Sequence, residues 1–297
     1  MRRLKILGLC SLLLPLALVS GCGPSDSTSA ASANTTPKVV AAFYPLAYAA
    51  QQVGGTNVSV ANLTQPGVEP HDLELSAAQV AEISQADLVL YIKGFQPAVD
   101  DAVAQQAPDR SIDVTSALTL LTGPDGADPH VWLNPANMSK IGSTIADRLA
   151  VIEPDKAAAF AKNSDTLTTS MNALSKKYSA GLATCKTKSL VVSHDAFGYL
   201  AKAFGFTQVG ISGLNPEAEP SPARMRAVAE VIKASNVSTI YYETLVDPKV
   251  AQTIADETGA TAVMLDPLEG LAPNSTGDYV SVMKANLAAL KKGQECS

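Results

Sequence analysis

From Lys38 onward the chain repeats one rhythm twice: a short apolar run, a turn, then a stretch with helical spacing. In the first half the apolar runs fall at 38–43, 57–63, 87–92 and 111–114, with helical stretches at 44–52, 77–84 and 96–106. In the second half they fall at 189–193, 206–211, 239–243 and 261–265, with helices at 195–204, 222–235, 248–258 and 278–292. Such alternation predicts parallel sheets covered by helices on both faces. Between the halves, Ile141, Ile145 and Leu149, then Phe160, Leu167, Met171, Leu174 and Tyr178, keep helical spacing, broken only at Glu153-Pro154. Proline suits the first turn of a new helix, so helices are expected at 135–151 and 154–182. The second is long enough to bridge two lobes. The fold class is therefore α/β: two similar parallel-sheet lobes, 38–134 and 185–297, joined through a helical region, 135–184, by one long rigid helix. The halves share no close sequence repeat.

The first residues address location. Arg2, Arg3 and Lys5 precede an apolar stretch of roughly 14 residues, too short for a membrane span, and small residues follow it, as in a secretory signal peptide over 1–21. Val19-Ser20-Gly21-Cys22 resembles a bacterial lipobox, which implies cleavage before Cys22 and a lipid on its sulfur. Residues 22–37 are mostly Ser, Thr, Ala, Asn, Gly and Pro, a composition expected of a flexible tether. The expected place is thus the bacterial cell envelope, outside the cytoplasm and lipid-anchored to a membrane. Loss of residues 1–21 removes three cations from a chain of net charge -6, and so acidic a body argues against a nucleic-acid partner. Of the cysteines, only Cys185 and Cys296 remain for pairing, and outside the cytoplasm a disulfide is expected.

The chain has three histidines, each in a short Pro- or Asp-flanked motif. They are Glu69-Pro70-His71-Asp72, Asp128-Pro129-His130-Val131-Trp132-Leu133-Asn134-Pro135 and Ser193-His194-Asp195-Ala196-Phe197-Gly198-Tyr199. Imidazole is the commonest ligand for divalent transition metals. In open α/β sheets ligands bind beyond the carboxyl ends of the strands. His194 and Asp266 each directly follow an expected strand, and His71 follows one through a loop. The two lobes would then face one cation across a cleft, with Asp266 or Glu243 as the fourth donor. Three imidazoles and one carboxylate suit Zn²⁺; manganese prefers more oxygen. A hydrolase is disfavoured because His-Glu-x-x-His is absent, although Glu74 or Glu243 offers a base. A phosphate-binding glycine loop is also absent. A surface adhesin using zinc structurally is a third reading.

Taken together, the lipobox, the three histidine motifs and Leu265-Asp266-Pro267-Leu268 resemble the metal-binding solute-binding proteins of ABC transporters, closest to the zinc-uptake subgroup. The resemblance covers residue 38 to the C-terminus. It implies one metal in the interlobe cleft, held by His71, His130, His194 and Asp266. It further implies a non-enzymatic monomer that passes Zn²⁺ to an ABC permease in the cytoplasmic membrane. Manganese members typically carry glutamate in the place of His194, so the histidine favours zinc, with Mn²⁺ as the alternative cargo. One departure stands out: many zinc members have a long His- and acid-rich loop before the Asp-Pro-His motif, whereas Leu118 to Ala127 is short and lacks histidine. Phe43, Tyr44, Trp132 and Phe197 are expected to be ordinary core, with walling of the site as the alternative.

Overall fold

The structure is a computed structural model that describes residues 36–297. The signal peptide, Cys22 and the tether up to residue 35 lie outside the described residues.

The first lobe contains β1 (Lys38–Ala41), α1 (Tyr44–Gly54), β2 (Ser59–Asn62), α2 (Ala77–Gln85), β3 (Leu88–Tyr91), α3 (Pro97–Gln106) and β4 (Ser111–Asp113). All four strands are parallel, in the order β2-β1-β3-β4. The second lobe contains β7 (Ser189–Val192), α6 (Gly198–Phe204), β8 (Thr207–Gly210), α7 (Pro222–Ala234), β9 (Thr239–Tyr242), α8 (Lys249–Thr258), β10 (Thr261–Met264) and α9 (Tyr279–Gly293). Its order, β10-β9-β7-β8, is again parallel. Counted from the first strand of each lobe, both sheets read second-first-third-fourth. The lobes therefore share a topology without a close sequence repeat, and each has its switch point beside its first strand.

Local signals place the elements. Pro45 opens α1 and Pro135 opens α4 (Pro135–Ile152), where Asn134 Oδ1 accepts the Ala136 N–H. Ser76 and Gln79 form a reciprocal capping box on α2. A 3₁₀ turn at Pro154–Lys156 leads into α5 (Ala157–Gly181), whose 25 residues extend about 37 Å at the ordinary helical rise. The front of α5 ties to α1 through Asn163 Nδ2, which donates to the Val53 carbonyl at 2.8 Å. Its rear ties to α9 through Tyr178, whose hydroxyl donates to the Met283 carbonyl at 2.6 Å. This helix spans the two lobes as the periodicity predicts.

One apolar core runs through both lobes, from Val39, Leu88 and Leu90 past Phe160 and Met171 to Leu190, Val192 and Leu265. Alternate strand residues point to opposite faces. Val191 therefore joins a second, smaller cluster with Val228, Ile232, Ile240 and Ile254 under α7 and α8. Cys185 and Cys296 are joined in a disulfide that pins the end of the chain beside the start of the second lobe.

Two local expectations change. Residues 195–197 are a turn rather than the first turn of α6. The Asp195 N–H donates to the Gly213 carbonyl, and the Asp195 carboxylate accepts from Gln208 Nε2 at 2.9 Å, which holds the segment off the helix axis. The short 118–127 segment contains an antiparallel hairpin, β5 (Thr122–Gly123) and β6 (Gly126–Ala127), too brief to give a strand signal.

Candidate metal centre

Each of the three histidines is delivered by a fixed turn. After β2 the chain is held by Thr64, whose hydroxyl donates to the Ala42 carbonyl at 2.8 Å. Gln79 of the capping box donates to the Leu63 carbonyl at 2.8 Å. Glu69 Oε1 accepts the His71 N–H at 3.1 Å, and the His71 ring meets Phe95 edge-on at 4.5 Å. In the Asp-Pro-His turn, Asp128 Oδ1 accepts the His130 backbone N–H at 2.9 Å and faces its Nδ1 at 2.8 Å. His194 leaves the end of β7 with its Nδ1 2.6 Å from Glu243 Oε1, at the end of β9. An ionised carboxylate only accepts, so Nδ1 of His130 and of His194 carries the proton. In the neutral ring the lone pair of each is then on Nε2, facing inward.

The inward atoms converge. His194 Nε2 lies 3.2 Å from His130 Nε2. Glu269 Oε1 lies 3.4 Å from His71 Nε2, 3.2 Å from His130 Nε2 and 3.2 Å from His194 Nε2. All four residues are buried, and their donor atoms fall within 4.8 Å of one another. Donors about 2.0–2.1 Å from a tetrahedral zinc ion are about 3.3–3.4 Å apart. These four spacings match edges of that tetrahedron.

Asp266, expected as the fourth donor, stands outside this group. Its Oδ1 accepts the Leu268 N–H at 2.7 Å, and its own N–H and carbonyl are bridged by the Asn286 amide at 3.0 and 2.7 Å. The turn it caps puts Leu268 in the left-handed region at φ 56° and swings the chain so that Glu269, three residues on, points into the cleft. Leu268 is fully buried, so packing holds it in a conformation that disfavours branched side chains. Sequence reasoning passed over Glu269 because the strand-end rule favours the first carboxylate after β10. The available signal was the second carboxylate of the same Asp-Pro-Leu-Glu segment. Glu243, the expected competitor, lies on the outer side of His194, where it orients the ring.

Electrostatics follow from this packing. Burial works against a charged His194, yet Glu243 and Glu269 outweigh it and hold the imidazole well above its ordinary value. Burial likewise opposes charge on His130, and Asp128 and Glu269 overcome it to raise that ring. For His71 burial wins over Glu269, and its pKa is lowered. Burial alone would raise Glu269, but His194 and the other imidazoles hold it well below the carboxylate range. Burial pushes Glu69 up to about 7 and Asp266 up to about 6. Phe43, Trp132 and Phe197 are fully buried. Trp132 packs 5.2 Å from the His130 ring and Phe43 lies 4.8 Å behind Trp132, so these two are core that also walls the site.

Comparison with known proteins gives the same direction. The family described as "Zinc-uptake complex component A periplasmic" matches residues 39–293. The zinc-binding lipoprotein AdcA of Streptococcus pneumoniae serotype 4 is 36% identical over 276 residues, covering 86% of this chain and 55% of AdcA. The chain thus spans about half the length of the AdcA relatives it matches. The high-affinity zinc uptake system protein ZnuA of Bacillus subtilis is 32% identical, covering 92% of this chain and 93% of ZnuA. The Zn(II)-bound ZnuA-like domain of Streptococcus pneumoniae AdcA superposes with a TM-score of 0.77 at 36% identity, covering 88% of this chain and 100% of that domain. The laminin-binding protein Lmb of Streptococcus agalactiae, described as having adhesin and metal-transporting activity, superposes with a TM-score of 0.81 at 32% identity, covering 87% of this chain and 99% of Lmb. With its motifs, its paired lobes and the match from 39 to 293 in agreement, the chain belongs to the periplasmic zinc-uptake component A family.

Proposed function

We propose that this chain captures Zn²⁺ outside the cytoplasmic membrane and delivers it to an ABC-type permease, holding the ion with His71, His130, His194 and Glu269. One observation carries the reading: four buried donors converge, with Glu269 to each imidazole and His130 to His194 at the edge lengths of a zinc tetrahedron. Three nitrogens to one oxygen favour zinc over manganese. A fourth protein donor leaves no open position for a reacting water, which separates a carrier from a hydrolase. Among the described residues no helix is long and apolar enough to cross a membrane. Attachment is assigned to a lipid on Cys22, with residues 23–37 as the tether and the body acting as a monomer. Loss of labelled-palmitate incorporation in Cys22→Ser is the expected result.

The test of cargo is competitive titration of chelator-stripped protein lacking residues 1–22. One tight zinc site that outcompetes manganese and weakens by 10-fold or more in Glu269→Ala is expected, since even loss of an outer partner of a ligand commonly costs about 10–100-fold. A manganese preference overturns the cargo, and an unchanged Glu269→Ala overturns the ligand set.

Likeness to laminin-binding proteins of Streptococcus pyogenes and Streptococcus agalactiae, at TM-scores of 0.79 and 0.81, favours laminin adhesion as a second reading. Immobilised laminin that fails to retain the soluble chain removes it.

A further inference from the structure

Glu269 reaches the imidazoles from a loop with no helix or strand of its own. That loop is gripped on both sides of the carboxylate. Two residues before it, the Pro267 carbonyl accepts a hydrogen bond from the Trp132 indole Nε1–H at 2.8 Å. Two residues after it, the Leu271 carbonyl accepts from the Gly67 backbone N–H at 2.8 Å. Both donors belong to the first lobe, and both carbonyls to the second. Each donor also sits in the segment that carries a histidine of the site: Trp132 is two residues after His130, and Gly67 four before His71.

The two grips are themselves fixed. Trp132 is fully buried, and its carbonyl accepts the Tyr279 hydroxyl at 2.6 Å. Gly67 has φ 86°, and a Cβ there would lie 2.6 Å from Pro273 Cγ, across the same contact between lobes. Neither residue is in the group of four donors.

We propose that Trp132 and Gly67 are positioning residues for Glu269: their N–H groups hold the Pro267–Leu271 loop so that the carboxylate joins the three imidazoles only while the lobes are in contact. This rests on the metal-site reading above. An N–H···O bond is largely lost once the atoms part beyond about 3.5 Å. A separation of the lobes by about an ångström at this edge therefore frees the loop. The set then falls from four protein donors to three before any histidine has to move. Lobe contact is in this way coupled to metal retention through one ligand.

The experiment uses the chain lacking residues 1–22. Zinc dissociation into excess chelator is followed by stopped flow, and Co²⁺ replaces zinc for visible absorption. Trp132→Phe removes the indole N–H and keeps an aromatic ring; Gly67→Ala pushes on Pro273. Each is measured alone and combined with Glu269→Gln. Trp132→Phe is expected to speed dissociation about 5- to 10-fold, the loss expected from one hydrogen bond, and Gly67→Ala, which keeps its N–H but is displaced by the Pro273 contact, to speed it in the same direction. Each is also expected to move the Co²⁺ spectrum toward that of Glu269→Gln. The double variants are expected to dissociate no faster than Glu269→Gln alone, because the effect runs through that ligand. Grip effects that add in full to Glu269→Gln, or wild-type rates in both grip variants, overturn the coupling while leaving the site intact. A wild-type rate in Glu269→Gln itself overturns the site reading and the coupling with it. If Trp132→Phe does not fold, Gly67→Ala, in an exposed loop, decides.

Discussion

Each imidazole of the site presents Nε2 inward, but only His130 and His194 have a carboxylate behind Nδ1, supplied by Asp128 and Glu243. Such outer partners fix the tautomer and the ring orientation, and their loss commonly costs about 10–100-fold in metal affinity. Asp128→Ala and Glu243→Ala are accordingly expected to weaken zinc by that range in a chelator competition while the four donors stay in place. Protonation adds a pH dependence with two opposite signs. Zinc must displace the proton that Glu243 and Glu269 favour on His194, so affinity falls as pH falls, beginning above the ordinary imidazole value near 6.5. Folding of the chelator-stripped chain responds the other way. Against a single opposing contribution in this range from His71, whose value is lowered, the raised folded-state values of His194, His130, Glu69 (about 7) and Asp266 (about 6) make the folded state bind more protons than the unfolded state. These contributions are complete below the unfolded values and are lost as pH rises through the folded ones. A melting temperature that rises between pH 7.5 and 5.5 while zinc affinity drops is the expected pair of results. A melting temperature that falls over this range contradicts the assignment.

At the scale of elements, the caps decide where the chain turns toward the cleft. The Ser76–Gln79 box both starts α2 and, through Gln79 Nε2, pins the Leu63 carbonyl where the His71 loop begins. Ser76→Ala is expected to cost about 1 kcal/mol in a urea titration. These boundaries were legible because caps, prolines and apolar runs act through neighbours in sequence. The start of α6 and the β5–β6 hairpin were not. Asp195 is held by Gln208 and Gly213 from a different part of the lobe, and a hairpin of two-residue strands carries no periodicity.

At the scale of the whole body, residues 36–297 hold two copies of one strand order, bound by α5 and by a core common to both lobes. Among the described residues, the one disulfide ties Cys296 to the segment before β7, at the opposite end of the second sheet from the metal centre. Cys296→Ser should remove up to ~4–5 kcal/mol of stability on the chain-entropy model. It should leave zinc affinity unchanged. A loss of affinity in chemically folded variant protein would mean that the C-terminal bridge reaches the site through α9.

What the sequence determined by itself was the α/β rhythm, the long helix, the cysteine pairing and the three histidines, because each is written in local spacing or in the scarcity of a residue type. What only the tertiary structure decided was which carboxylate completes the group. Asp266 and Glu269 are three residues apart and both follow β10, so spacing cannot separate them. The choice depends on a left-handed Leu268 buried in the core and on donors from the other lobe, Trp132 and Gly67, whose grip on the loop exists only once distant segments have packed.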